Sequence, residues 1–126
     1  MTELNTEYWS LLLPEEWTAE EEEDTMIITD EDEASVIEIS TLVPEEGVSV
    51  QELLDDLSDG AEVTQLARMS ARYQQLEEEG GFWREWYCDA GMALLIVTHG
   101  CDAANRHLDD AIVDEILATL SPRAIP

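Results

Sequence analysis

Apolar and polar residues alternate along short runs in the first part of the chain, with the period of two that is typical of half-buried β-strands. One extended segment runs from Tyr8 to Ala19 and is broken at Pro14, because proline cannot donate to a strand ladder. The runs Thr25–Thr29 and Val36–Val43 follow it, separated by the polar turn of residues 30–33. This pattern predicts three strands connected by short turns.

The second part of the chain contains three further strand-like runs. They are Ser70–Glu78, Phe82–Asp89 and Met92–Gly100. Residues 61–69 fit either a loop or a short strand, and this choice stays open. Because strands joined by short turns pair antiparallel, these runs predict an antiparallel sheet.

The turn at Ala90-Gly91 sets the register between the last two predicted strands. A two-residue turn places Phe82 opposite His99 and Trp86 opposite Leu95. Neighbouring side chains point to opposite faces of a strand, so a second face carries three adjacent alternate positions, Trp83, Glu85 and Tyr87. In this register Cys101 lies roughly 27 Å along the strands from Cys88, which is too far for a disulfide.

Two segments have the apolar spacing of amphipathic helices. Ser49 and Glu52 form a capping-box pattern at the start of the first, which extends towards Gly60. The second is predicted over Asn105–Leu120 and ends before Pro122. The order β-β-β-α-β-β-β-α predicts one domain over residues 1–126. Its expected fold class is α+β, a two-layer sandwich with both helices on one face of an antiparallel sheet.

This layout resembles the small sandwich superfamily that includes photosystem II PsbP, the DcrB-type lipoproteins and the Mog-type Ran-binding proteins. The residues that carry the resemblance are Leu13-Pro14-Glu15-Glu16-Trp17, Phe82–Trp86, Ala93–Thr98 and Ile112–Leu120. The resemblance implies an accessory or binding role without an active-site motif. The chain departs from the family in having no export signal or lipid-attachment cysteine near its start, so membrane-associated roles are not expected.

Charge narrows the classes of partner. The chain has 31 acidic and 5 basic residues and a formal charge of −26, and every basic residue is an arginine. Binding to nucleic acids or anionic membranes depends on Lys and Arg, so neither partner is expected. The longest apolar run, residues 92–97, is far shorter than the roughly 18 residues of a membrane span. With two cysteines that do not form a disulfide framework, these features predict a cytoplasmic protein.

Acidic residues are dense between Glu15 and Glu33. This segment holds eleven carboxylates and no basic residue. Three interpretations stay open: a docking surface for a basic protein partner, mimicry of nucleic-acid charge by an inhibitor or immunity-type protein, and adaptation to a saline cell interior. Acidic residues elsewhere in the chain, at 45–62, 77–79 and 109–115, fit the last interpretation because solvation needs charge that is spread out.

No catalytic or metal-binding motif is present in the sequence. The four acids at 30–33 lack the spacing and glycine of an EF-hand loop. His99, Cys101 and His107 lack a fourth ligand at a usual zinc spacing, and His99 is interpreted as a strand-end residue. No metal, no cofactor and no enzymatic activity are therefore expected.

The aromatic cluster of the Phe82–Asp89 strand provides the main functional hypothesis. An exposed aromatic patch ringed by polar groups is typical of an interface. The alternative is that residues 1–20, with Tyr8, Trp9 and Trp17, cover this face. The sequence predicts a non-catalytic protein-binding domain whose partner-binding residues are Trp83, Glu85, Tyr87, Glu20, Glu21, Glu22, Glu23 and Asp24.

Overall fold

Ten strands, two α-helices and one 3-10 turn make up residues 2–123, the part of the chain that the computed structural model describes. The strands are β1 Thr2–Asn5, β2 Trp9–Leu13, β3 Trp17–Glu22, β4 Thr25–Asp30, β5 Ser35–Leu42, β6 Glu62–Leu66, β7 Met69–Glu78, β8 Gly81–Asp89, β9 Leu94–Asp102 and β10 Ser121–Pro122. The helices are α1 Val50–Leu57 and α2 Asp110–Leu117, and the 3-10 turn is Ala103–Asn105.

The strands form two antiparallel sheets. The large sheet has seven strands in the order β3-β4-β5-β9-β8-β7-β6, and the small sheet has three in the order β1-β2-β10. The predicted α+β sandwich with antiparallel pairing is therefore confirmed. The sequence pattern missed β1 and β10, and residues 62–66, which it left open, form a strand at the edge of the large sheet.

The main core lies between the large sheet and a layer made of the small sheet and α2. Trp9, Leu11 and Leu13 alternate inward from β2, and Val113, Ile116 and Leu117 face inward from α2. They pack against a row of inward side chains on the central strands: Ile28, Ile37, Ile39, Trp86, Leu95 and Val97. Trp17 joins this same core. Residues 2–20 therefore do not cover the face that carries Trp83.

The two helices lie on opposite faces of the large sheet, so the prediction of both on one face is wrong. Val50 and Leu54 of α1 pack against Leu94, with Tyr87 and Ile96 beside them. Leu94 and Ile96 alternate with Leu95 and Val97, which belong to the α2 side. Because β9 is apolar on both faces, each face can receive a helix.

The β8–β9 register differs from the predicted one by two residues. Arg84 pairs with His99 and Trp86 with Val97, because residues 90–93 form a four-residue loop. The loop is closed by the Ala90 amide, which donates to the Ala93 carbonyl at 3.0 Å. A shift of two leaves each side chain on its predicted face. Cys101 lies opposite Phe82, and Cys88 and Cys101 are free thiols.

The second helix is shorter than predicted. It begins at Asp110 rather than Asn105, and Leu108 is 67% exposed. The backbone at His107 has φ +68°, a left-handed conformation that interrupts a right-handed helix. The first helix follows its pattern more closely. Ser49 Oγ accepts from the Glu52 amide at 3.1 Å, and Glu52 Oε2 accepts from the Ser49 amide at 3.2 Å.

Candidate functional site

Trp83 lies on the face of the large sheet that α1 covers only in part, and 37% of it is exposed. Its indole lies across two glycines, Gly100 on the paired strand and Gly81 on its own strand. A Cβ at Gly100 would come within 2.7 Å of the indole Nε1, and one at Gly81 within 2.9 Å of Cζ3. The two missing side chains let the ring lie flat on the sheet as an exposed aromatic platform.

An open groove of about 610 Å³ surrounds this platform. Its acidic lining residues come from three separate segments and are Glu33, Glu38, Glu78, Glu79 and Asp102. Val36, which pairs with Gly100, supplies an apolar side chain at the groove floor. No basic residue of the described part of the chain lines the groove. The site is thus an aromatic surface with uncompensated negative charge around it.

Glu85 and Tyr87 share the face of Trp83 but lie in different surroundings. Glu85 is half-buried, and its Oε1 accepts from Gln74 Nε2 at 2.7 Å. Tyr87 is half-buried against the cluster that α1 forms with Leu94. Burial raises the pKa of the Tyr87 hydroxyl, and the nearby Glu85 carboxylate raises it further. Tyr87 is therefore a contact for α1, and Trp83 is the exposed aromatic residue of this strand.

The acidic residues 20–24 lie away from Trp83. They occupy the end of β3 and the turn to β4, four strands from β8 in the sheet order, which at ~4.8 Å per strand is a lateral separation of ~19 Å. Glu20 and Glu22 point to the face of Trp83, and Glu21 points to the opposite face, since it pairs with the buried Met26. The structure therefore does not bring this segment together with Trp83; Glu33, from the next turn, lines the groove instead.

A second feature, which the sequence pattern missed, is a buried polar chain on the core face. Arg84 Nε donates to His99 Nδ1 at 3.2 Å, His99 Nε2 lies 3.2 Å from Ser35 Oγ, and Ser35 Oγ donates to Asp109 Oδ2 at 2.7 Å. Arg84 also forms an ion pair with Asp114 at 2.9 Å. His99 is 1% exposed and lies inside β9, which continues to Asp102, so its interpretation as a strand-end residue is wrong.

The direction of these hydrogen bonds determines what the buried polar residues can do chemically. A guanidinium can only donate, so His99 Nδ1 must accept, and the ring proton lies on Nε2 and points to Ser35 Oγ. Burial lowers the pKa of His99, and the adjacent Arg84 lowers it further, while Asp110, Asp109 and Asp114 act in the opposite direction. A neutral histidine that donates to a serine cannot accept that serine's proton, so this Ser-His pair does not have the geometry of an activated nucleophile.

Both thiols are held in their protonated form. Burial raises the pKa of Cys88 to about 12. The pKa of Cys101 is also raised, by burial and then by the charge of Asp110. Within residues 2–123 no group of three or more His, Cys, Asp or Glu side chains is placed to hold a metal ion. In the same part of the chain no helix is long and apolar enough to cross a membrane.

Gly81, Gly100, Glu38 and Asp102 are site residues that sequence reasoning did not select. A glycine inside an apolar strand indicates a close approach of another group, and Gly100 carried that signal. The identity of the group above it required the register, because Trp83 pairs with Gly100 only when the β8–β9 loop has four residues.

The described residues thus define an antiparallel α+β sandwich with an exposed tryptophan on an acidic sheet face. No protein-family model matches the chain, and no curated protein matches its sequence. Among solved structures, it is similar to a protein of Bacteroides thetaiotaomicron, with a TM-score of 0.70 and 17% identity over 92% of this chain. The chain spans 45% of the length of that protein.

The comparison with solved structures also returns the cyanobacterial PsbP protein CyanoP of Synechocystis. The TM-score is 0.47 and the identity 8%, over 91% of this chain and 86% of CyanoP. The similarity to the Bacteroides protein, at 17% identity, shows a shared fold and nothing about function.

Proposed function

We propose that this protein is a non-catalytic binding domain that docks a basic protein partner on the groove around Trp83. The observation that carries the proposal is the exposed indole held flat over Gly81 and Gly100. Tryptophan is strongly enriched among the residues that dominate binding energy at protein interfaces. Leu76, which pairs with Trp83 on the neighbouring strand and is 43% exposed, adds an apolar side chain beside Trp83, next to the groove.

The charge of the groove supports a basic partner. Its carboxylates are exposed and have no basic neighbour among the lining residues, so they are free to pair with cations of another molecule. Complementary charge of this kind raises the association rate and selects against acidic partners. The proposal includes a cytoplasmic location, which the low cysteine count without a disulfide framework supports.

Mimicry of nucleic acid has less support than a protein partner. Glu20, Glu38 and Glu85 occupy one row across the exposed face, on every second strand of the large sheet. Their backbones are therefore ~10 Å apart, whereas phosphates along one DNA strand repeat every ~3.4 Å of the helix axis. The row is too sparse to reproduce a phosphate backbone.

Trp83→Ala tests the proposed function, with Leu12→Ala as a matched control. Leu12 has nearly the same exposure as Trp83, 36% against 37%, and lies on the small sheet. Each variant and the wild type are immobilised, retained proteins are quantified by mass spectrometry, and the proteins that Trp83→Ala loses are purified for direct affinity measurement. We expect Trp83→Ala to weaken the binding of such a partner at least about tenfold, while Leu12→Ala leaves its affinity unchanged.

Urea unfolding of the same variants separates binding from stability. We expect the midpoint of Trp83→Ala to remain close to that of Leu12→Ala, because both side chains are partly exposed. If Trp83→Ala unfolds the protein, Trp83 is a core residue and the proposal is wrong. Equal affinity of all three proteins for each purified partner would also overturn it.

A further inference from the structure

We infer that the Trp83 platform receives an arginine side chain of the partner, with its guanidinium stacked on the exposed face of the indole. This inference rests on the proposed function and adds the chemical group that the groove recognises. Gly81 and Gly100 lie against the indole from the sheet, and Trp83, which is 37% exposed, is one of the residues that line the groove. A planar group would stack on the side of the ring that faces away from the sheet.

The shape of the groove selects a planar cation. Within residues 2–123, Trp83 is the only aromatic residue that lines the groove. A methylated ammonium group is held by a cage of several aromatic walls, and a single flat wall cannot surround it. A guanidinium stacks on one aromatic plane and is more weakly hydrated than an ammonium, so it loses less hydration on stacking.

The charge of the groove supplies the partners for the guanidinium nitrogens. Val36, Gly100 and Trp83 lie side by side on three neighbouring strands. Glu38 follows Val36 by two residues on β5 and lies on the same face, and Glu33 lies just before β5. Both carboxylates are exposed and line the groove. A guanidinium stacked on the indole keeps its edge N–H groups free, and such N–H groups form charge-assisted bonds to carboxylates.

Three short amidated peptides that differ in one side-chain type test the inference. The probes are Ala-Arg-Ala-Arg-Ala and its analogues with lysine or with citrulline, which has the planar shape of arginine without its charge. Binding is followed by the indole Nε1–H signals in NMR spectra at ~0.1 M salt, where surface charges remain only partly screened. The signal that is missing in Trp83→Phe identifies Trp83.

We expect the arginine peptide to shift the Trp83 signal most strongly of the four indole signals. It should bind at least about threefold tighter than the lysine peptide, and the citrulline peptide should give no shift. Removing two of the five groove charges with Glu33→Gln and Glu38→Gln should weaken arginine binding. The same charge change at Glu22 and Glu23, which lie outside the groove, is the control and should have little effect.

The outcomes distinguish this inference from the proposed function. Equal binding of the arginine and lysine peptides without a Trp83 shift would mean that charge alone attracts them, and the inference would be wrong. No binding of any peptide would also overturn it. Neither result changes the Trp83-dependent capture of a protein partner, which tests the proposed function separately.

Discussion

Trp83 and Gly100 form a matched pair in which the function of one residue depends on the missing side chain of the other. The indole contacts the backbone of Gly100 so closely that even a methyl group at this position would overlap the ring. Gly100 has no positive φ, so its backbone is accessible to alanine and the consequence of substitution is purely steric. A substitution at Gly100 therefore changes the position of the indole without changing the conformation of the strand.

Gly100→Ala is expected to displace the indole without unfolding the protein. The new methyl group would lie 2.7 Å from Trp83 Nε1 and Cδ1, and overpacking of this kind costs about 1–3 kcal/mol. Urea unfolding measures the loss in the wild-type background and again in a Trp83→Ala background. The penalty should be much smaller in the second case, because the overlapping ring is absent.

An equal penalty in both backgrounds would show that Gly100 is required for another reason. In that case the contact with the Trp83 ring would not explain why position 100 is a glycine. As a second readout, the arginine peptide should bind Gly100→Ala more weakly than the wild type, since the ring can no longer lie flat.

At the scale of elements, the buried polar chain joins β5, β8, β9 and the start of α2. Ser35, His99 and Arg84 come from three neighbouring strands, and Asp109 precedes α2. These directional hydrogen bonds fix the position of α2 against the sheet, in addition to the apolar contacts of Val113 and Leu117. His99 must be neutral for every bond to be made.

The stability of the protein is therefore expected to fall at acidic pH through His99. The pKa of this group is lower in the folded than in the unfolded chain. Its contribution is fully present above the unfolded value of about 6.5 and is lost as pH falls through the folded value. Asp109, Asp110, Asp114 and Arg84 all face this group.

His99→Gln isolates the contribution of the histidine, because glutamine can accept from Arg84 and donate to Ser35 but does not titrate. Urea unfolding of both proteins at pH 7.5 and 5.5 gives the comparison, and the titration of the many carboxylates is common to both. We expect the wild type to lose more stability than His99→Gln on acidification. Identical losses would show that His99 is not the titrating group.

The sequence predicted those elements whose signals are local. The capping box of α1 and the alternation of β8 and β9 need only nearby residues, and both are present in the structure. The opposite placement of the helices was not predicted, because Leu94 to Val97 is a continuous apolar run that does not say which side each helix will cover. Trp83 was predicted from the sequence as a binding residue. Its contact with Gly100 was not, because that pairing depends on a four-residue loop where Ala90-Gly91 predicted a two-residue turn.

At the scale of the whole molecule, the net charge of −26 opposes compactness. Ion pairs such as Arg72–Asp55 at 3.2 Å and Arg106–Glu77 at 2.7 Å neutralise only a few of the 31 acids. The remaining self-repulsion is screened by salt over a Debye length that falls from about 30 Å at 0.01 M to about 3 Å at 1 M. Salt dependence of stability therefore distinguishes charge kept for binding from charge adapted to a saline interior.

We expect the urea unfolding midpoint to rise with salt and then to level off well below 1 M, because simple screening is nearly complete there. The measurement covers salt from about 0.05 to 2 M, with sodium chloride as the only variable. A protein that folds at the lowest salt and gains little above ~0.5 M supports a functional acidic face. A midpoint that keeps rising steeply above ~1 M would assign the charge to the environment and remove it as support for a basic partner.

The small sheet joins the two ends of the described chain, and this has a consequence for synthesis on the ribosome. β2 lies between β1 and β10. Trp9 and Ser10 can therefore pair with Pro122 and Ser121 only after β10 has been synthesised. Arg123 reaches the same region, where its guanidinium donates to the Thr6 carbonyl at 2.7 Å. Because chains are made from the amino terminus, a nascent chain has β2 early but acquires β10, one of that strand's two neighbours, only after the other nine strands. Closure of the small sheet over Trp9 therefore follows the synthesis of all the other strands, and the pairing of such distant segments makes it a slow step.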